Sequence, residues 1–444
     1  MSGYFVSILK HCALSVNCRF YQSTMASLLV PPASVRGMKN LDRDAFKTSF
    51  KIPALQFQET TNISKIISIV KKYLLKMRQF KSIVTNDNLT IIYLDPMKLN
   101  KFEDFTDNDR EIIKQENGTF SQLNLQVTYE NWKLDETLKA IFPENLEAPG
   151  SFSQIGHIVH LNLRDFQLPY KNIIGQIIID KLPIAKTVVN KTNIIDTTFR
   201  HFAMELLAGE ENTIVEVKEN GCRYQFDFAK VYWNPRLGTE HERIVEYLKP
   251  QDVLYDIFAG VGPFSIPASR KGIKVLANDL NPNSYNWLVI NSKLNKTKGN
   301  LSAFNKDGRD FLRNEVKNDI LKRRETNEPG YEHIVMNLPA IAVEFLDVFH
   351  DLFNDEEICK ITTKKTKIHV YCFVKVEKNE KATDIAKLLI EEKINTTLCH
   401  ETLIDVHYVR NVAPNKDMMR VSFFLTQTIL KGGEPAMKKA KIKC

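Results

Sequence analysis

Cysteine is scarce and poorly spaced for cross-linking: Cys12, Cys18, Cys222, Cys359, Cys372, Cys399 and Cys444 include no C-x-x-C pair. Without close pairs or a concentrated Cys and His cluster, neither a disulfide framework nor a metal site is expected, and the thiols fit a reducing compartment. No apolar run approaches the roughly 20 residues needed to cross a bilayer, which argues against an integral membrane protein. Acidic residues are missing from the first 33 positions, where Lys10 and Arg19 stand among small hydroxyl, aliphatic and aromatic residues. This composition suggests a mitochondrial presequence over 1–33, with a disordered arm or secretory signal as the alternatives. Met25 offers a second start that omits most of the segment.

What remains is an ordinary globular composition, 43% hydrophobic and 26% charged, in a chain of 444 residues. That length exceeds one small core and predicts two or three units. The net charge is +8. The first 33 residues contribute +2 and the tail at 431–444 contributes +4, leaving +2 for the body. Bulk charge is therefore weak evidence for nucleic acid, and any positive face must be assembled locally.

The hydrophobic pattern divides the chain at about 34–130, 131–235 and 236–430, followed by a basic, flexible tail at 431–444. In the first part Ile63, Ile66, Ile67, Val70 and Leu74 recur at helical spacing, and a strand-like stretch covers Leu89–Leu94. In the second, Ile155–Leu163 reads as extended and Tyr170–Lys181 as helical. Asn220-Gly221 separates Thr213–Val217 from Tyr224–Phe228 and predicts a tight hairpin, because both residues tolerate left-handed dihedrals. The third part alternates strands (Val253–Ile257, Lys274–Ala277, His333–Met336, Lys367–Val374) with helices (Asn283–Leu294, Glu380–Ile394), which predicts a doubly wound α/β domain. Tyr408 and Arg420–Leu425 supply late edge strands.

The most informative segment is Val253-Leu-Tyr-Asp-Ile-Phe-Ala-Gly-Val-Gly-Pro-Phe-Ser265. A strand enters Asp256 and passes Phe258, and Gly260 and Gly262 then relax steric limits where backbone must approach a ligand. Ser265 stands where a dinucleotide fingerprint would carry its third glycine. Asp279, 19 positions after Gly260, leaves the second strand where a carboxylate can accept ribose hydroxyls. These features favour S-adenosylmethionine over a nicotinamide cofactor, since Asp256 would sit well beside an amino group and badly beside a diphosphate. Asp307 could line the adenine rim or simply cap the helix that follows it, and Asp256 could be only a capped turn.

Five further positions carry chemistry. Asn337 and Pro339 follow a strand at the carboxyl edge of the sheet, where the plain alternative is a strand-ending turn. Arg236 could contact RNA phosphate or support its own turn. Glu240 falls in the first turn of a helix, where an acid is favourable for the helix alone, and an exposed carboxylate there would be a poor base until substrate buried it. Arg200 could bind an oxygen or phosphate, or pair with Glu205 or Glu210.

Phe199-Arg-His-Phe, Glu205-Leu-Leu-Ala-Gly-Glu, Asn234-Pro-Arg-Leu, Asp256-Ile-Phe-Ala-Gly-Val-Gly-Pro-Phe and Asn337-Leu-Pro together resemble the eukaryotic and archaeal tRNA (guanine-37 N1)-methyltransferases. The match runs in order through nearly all of the chain after residue 33. It implies a class I Rossmann-like methyltransferase domain preceded by two smaller α/β domains, the first recognising the outer body of tRNA. At matching positions it makes Glu240 the base for guanine N1, Arg200 the stabiliser of O6 and Asn337 the orienting residue, with Pro339 beside the target base. The donor would be held by Asp256, Phe258, Gly260, Gly262, Asp279, Asp307 and Asn337. A monomer acting in the mitochondrial matrix and cytoplasm is expected, with the nucleus left open. The rivals are aminocarboxypropyl transfer to a modified tRNA guanine, which shares the cofactor turn, and tRNA binding without catalysis.

Overall fold

The computed structural model describes residues 29–58, 63–86, 88–195, 202–297 and 299–433. The first 28 residues, Arg200 and most of the basic tail lie outside them. The chain divides into two compact units, the first built from residues up to 153, 159–191 and 205–211, the second from 154–158, 192–204 and 212 onward.

The first unit holds two small α/β arrangements. In one, β1 (Thr48–Gln58) lies between β3 (Leu89–Tyr93) and β4 (Thr119–Val127), with β2 (Ile83–Asn86) on the outer side of β3, all antiparallel. The helical spacing from Ile63 becomes α1 (Ile63–Val70), which buries Ile66 and Val70 and leaves Lys65, Lys71 and Lys72 exposed. The second helix of this part is α2 (Asp107–Gln115), whose N-cap Thr106 accepts the Asp109 N–H at 3.2 Å. In the other arrangement, α3 (Leu134–Ile141) and α4 (Lys171–Lys181) accompany a sheet in which β6 (Ile158–Leu161), β7 (Thr187–Ile195) and β8 (Phe202–Gly209) are neighbours. One apolar cluster runs through both parts, from Phe46 and Ile52 to Trp132, Ile141, Ile174 and Ile178. The extended stretch predicted from Ile155 is interrupted: β5 (Ser153–Ile155) ends at Gly156, whose φ of +56 turns the chain before β6.

The second unit opens with the predicted hairpin, β9 (Ile214–Glu219) and β10 (Cys222–Asp227), turning through Asn220 at φ +48 and Gly221 at φ +70. After α5 (Gly238–Tyr247) comes a seven-stranded sheet. Its strands are β11 (Val253–Asp256), β12 (Lys274–Asn278), β13 (Leu301–Phe304), β14 (Glu332–Met336), β15 (Thr366–Lys375), β16 (Leu403–Ala413) and β17 (Lys416–Leu425). The order is β13-β12-β11-β14-β15-β17-β16; the first five are parallel, and β17 and β16 are antiparallel to their neighbours. Sequence alone suggests an edge position for Arg420–Leu425. It lies instead between β15 and β16, because the bulged β16 takes the edge.

The two faces of this sheet differ in chemistry because side chains alternate along each strand. Val253, Tyr255, Ile334, Met336, Ile368, Val370, Met419, Val421 and Phe423 enter one large apolar cluster. The intervening positions carry buried polar groups: Asp256, His333, His369, Tyr371, Arg420 and Ser422. Helix α5 meets this polar set. The Tyr247 ring packs edge-on against His333 and His369, and Glu240 accepts from Tyr371 and Arg420.

Candidate active site

The site begins where β11 ends. Asp256 is fully buried; its Oδ2 accepts the Ser265 hydroxyl at 2.6 Å, while Oδ1 is buried without a hydrogen-bond partner. Burial pushes the Asp256 carboxyl up to about 7, opposed by the Ser265 hydrogen bond and reinforced by the negative charge of Asp279. Asp279, just past β12, accepts the Gly260 N–H at 2.8 Å and the Asn281 N–H at 2.9 Å. Burial raises it to about 6 against those two hydrogen bonds. The turn is thus clasped to the neighbouring strand by the acid that spacing singled out, and two carboxylates that resist ionisation face one region. A cation-bearing ligand would relieve that resistance.

The glycines have different reasons for being there. Gly260 has φ +57, and a Cβ built on it would meet nothing within 4 Å, so its open side can receive a ligand. Gly262 has φ +98, and a Cβ there would come within 2.7 Å of Leu288 and 2.8 Å of Ile266, so it is required for packing as well as for conformation. Ser265 starts α6 (Ser265–Arg270). Phe258 packs edge-on against Phe345 at 5.0 Å and, with Ile257, closes against Gly308. Asp307 caps the helix at Gly308–Phe311 by accepting the Arg309 N–H at 2.8 Å, which is the structural role weighed for it from sequence.

Residues not singled out from sequence complete the frame. Asn278 donates to Ile257 O and Lys306 O and accepts the Lys306 N–H, tying the loops after three parallel strands together. Asn291, on α7 (Pro282–Leu294), is fully buried, accepts the Gln225 N–H and donates to Gln225 O and Val261 O. It joins the β9–β10 hairpin to the donor turn. Their signal in the sequence is faint, since an asparagine near a strand end or inside a helix is usually a local cap or a wet surface group.

At the end of β14, Asn337 keeps its Oδ1 buried without a partner, and Pro339 O accepts the Phe373 N–H at 3.1 Å. Arg236 is exposed, and Asn234 caps its short turn by accepting the Arg236 N–H at 3.1 Å. Glu240 departs from expectation. It is only 4% exposed in the free protein, so its burial does not wait for substrate. Its Oε1 accepts from Tyr371 Oη at 2.8 Å and Arg420 Nη1 at 2.6 Å; Oε2 faces Arg243 Nε at 3.2 Å and His407 Nε2 at 3.5 Å. Phe264, at the far end of the donor turn, touches both His241 on α5 and Tyr371, so the turn and the buried carboxylate share a wall. Glu205, one of the acids that could have paired with Arg200, bonds to Lys171.

The arrangement offers an open glycine, a buried acid with a spare oxygen and a clasped second acid at the carboxyl ends of β11 and β12. Nearby stand an asparagine with an unused carbonyl and a buried glutamate. The first three fit the amino and ribose groups of S-adenosylmethionine, and the spare oxygen of Asp256 beside the clasped Asp279 is the observation that carries the fit.

Comparison with known proteins yields two family matches: the TRM5/TYW2 methyltransferase domain over residues 214–387 and the TYW2 N-terminal domain over residues 134–213. A curated tRNA (guanine(37)-N(1))-methyltransferase of Anopheles gambiae is 46% identical over 98% of this chain and 78% of its own length. That of Drosophila pseudoobscura pseudoobscura is 50% identical over 91% of this chain and 92% of its own. Among solved structures, the complex of aTrm5 and tRNALeu aligns with a TM-score of 0.57 and 26% identity over 84% of this chain and 99% of its own.

Proposed function

Because this chain belongs to the tRNA (guanine-37 N1)-methyltransferase family, we propose that it transfers the methyl group of S-adenosylmethionine to N1 of guanine 37 in tRNA. The observation that carries this reading is the continuity of identity with curated enzymes of that activity across more than nine tenths of the chain. The donor turn and the buried glutamate then supply the chemistry.

When bound, S-adenosylmethionine brings a methyl carbon already activated by its sulfonium. Neutral guanine carries a proton on N1, so the enzyme must remove it as the N1–methyl bond forms and the methyl–sulfur bond breaks, S-adenosylhomocysteine being the leaving group. Glu240 takes that proton. Arg200 meets the charge that moves onto O6, and Asn337 orients the base through its free carbonyl, with Pro339 forming the adjacent wall. Asp256, Phe258, Gly260, Gly262, Asp279 and Asp307 form the donor side. Arg236, exposed on its turn, contacts the RNA backbone.

The aTrm5–tRNALeu complex supports tRNA as the partner of this chain. Position 37 and the tRNA elbow are far apart, so elbow contacts by the first unit and anticodon-loop contacts by the second are read as separate tasks of one monomer. We further propose that chains starting at Met1 enter the mitochondrial matrix, while chains starting at Met25 serve the cytoplasm and nucleus; imaging the two forms separately tests this. No helix among the described residues is long and apolar enough to cross a membrane.

The enzymatic test is incubation of the purified chain with labelled S-adenosylmethionine and unmodified tRNA, followed by nucleoside mass analysis. N1-methylguanosine at position 37 is expected. An aminocarboxypropyl nucleoside, or tight tRNA binding with no product, would replace this reading with one of its rivals. Glu240→Gln should reduce transfer by about 100-fold or more, in line with loss of a general base.

A further inference from the structure

The surroundings of Glu240 are asymmetric. On one side, Oε1 is gripped by Tyr371 and Arg420, whose side chains are nearly closed to solvent. Arg420 is itself fixed, its Nη2 donating to Asp405 Oδ2 at 2.8 Å. On the other side, Oε2 faces two partners that can leave: Arg243, whose side chain is 49% exposed, and His407, 26% exposed. The charged and titratable groups facing this carboxylate are therefore Arg243 from α5, Tyr371 from β15, Asp405 and His407 from β16, and Arg420 from β17.

We propose that Tyr371 and Arg420 are positioning residues that lock Oε1 of Glu240 into the wall of the site, so that Oε2 is the oxygen presented to the N1 proton of guanine. The inference deepens the reading of Glu240 as the base and rests on it. A carboxylate on an unrestrained glutamate has two equivalent oxygens and free χ torsions, and proton abstraction needs one lone pair held at hydrogen-bond distance from N1. The two donors to Oε1 come from neighbouring central strands, so their positions are set by the sheet ladder and not by side-chain choice. The base is also linked to the donor turn, since Phe264 contacts Tyr371. A sheet-mounted clamp thus fixes the base relative to the methyl donor before tRNA arrives, while Arg243 and His407 can swing from Oε2 as guanine enters.

The test is single-turnover methyl transfer by the full chain at saturating tRNA and S-adenosylmethionine, measured from pH 6.5 to pH 9. Tyr371→Phe and Arg420→Lys each remove or displace one donor to Oε1 while keeping side-chain bulk or charge. Either should slow transfer about 10- to 100-fold at the acid end, the fold-change expected for loss of a hydrogen bond to a charged group. The deficit relative to wild type should narrow to about threefold at the alkaline end, where guanine N1 begins to lose its proton to solvent and depends less on a positioned base. Dissociation constants for tRNA and donor should be unchanged. A deficit equal at every pH, or no deficit, would overturn the inference. A Glu240→Gln enzyme with undiminished transfer would instead remove the base assignment on which it stands.

Discussion

The two buried acids of the donor turn give the free enzyme a pH-dependent weakness that ligand should mask. Burial, against the Ser265 hydrogen bond and with help from Asp279, raises Asp256 from 3.8 to about 7. A group raised on folding contributes stability that is fully present below its unfolded pKa and is lost as pH rises through the folded one, so the window runs from about pH 4 to pH 7. At about 1.4 kcal/mol per pH unit, full ionisation of Asp256 costs the free protein about 4 kcal/mol by pH 8. Asp279, raised to about 6, adds in the same direction. Asp256→Asn removes the ionisation and keeps an acceptor for Ser265. In calorimetric unfolding of the ligand-free chain, this variant should match wild type near pH 4 and exceed it at pH 8. At about 2–4 °C per kcal/mol for a unit of this size, the excess should be about 8–16 °C. The same variant should bind S-adenosylmethionine poorly, and wild-type binding near pH 6.5 should release protons, seen as a dependence of the binding heat on buffer ionisation. Parallel stability curves for the two proteins between pH 5 and pH 8 would refute the reasoning.

Other perturbations separate packing from ligand contact. Gly262→Ala, forcing a Cβ against Leu288 and Ile266 at positive φ, should cost about 2–4 kcal/mol in thermal unfolding, whereas Gly260→Ala should cost about 1 kcal/mol and act mainly on donor affinity by titration calorimetry. Asn337→Ala removes a carbonyl with no protein partner, so the melting temperature should stay within about 2 °C while the single-turnover rate falls at least tenfold. Asn291→Ala leaves Gln225 and Val261 groups unpaired in the interior; a loss of about 2–4 kcal/mol is expected, with hydrogen exchange accelerated across both strands of the hairpin.

Local rules made some of this visible in the sequence. Asn220-Gly221 announced its hairpin because left-handed dihedrals are permitted to few residues. Val253–Ile257 announced the first parallel strand because a buried strand is apolar throughout, and the acid at its exit broke that run conspicuously. Asp279 was found by its distance along the chain from Gly260. Partners remote in sequence were hidden. Arg420 meets Glu240 from 180 positions away, and nothing in either segment specifies the other. The placement of β17 inside the sheet depends on the bulges of β16, which no alternation pattern encodes. Glu240 read as helix-terminal charge because the helix is local, while its burial is made by β15 and β17, which are not.

The late insertion of β17 has a consequence for the order in which the enzyme matures. Every donor-side position from Asp256 to Asn337 has left the ribosome's decoding centre before residue 416 is added, so a nascent chain can complete the methyl-donor cleft early. The guanidinium that grips Glu240 arrives with β17, the last strand among the described residues, threaded between β15 and the waiting β16. Assembly of the Asp256–Asn337 segment and anchoring of Glu240 are therefore separated in time, and a polypeptide that stops short of β17 would lack the guanidinium that fixes this carboxylate.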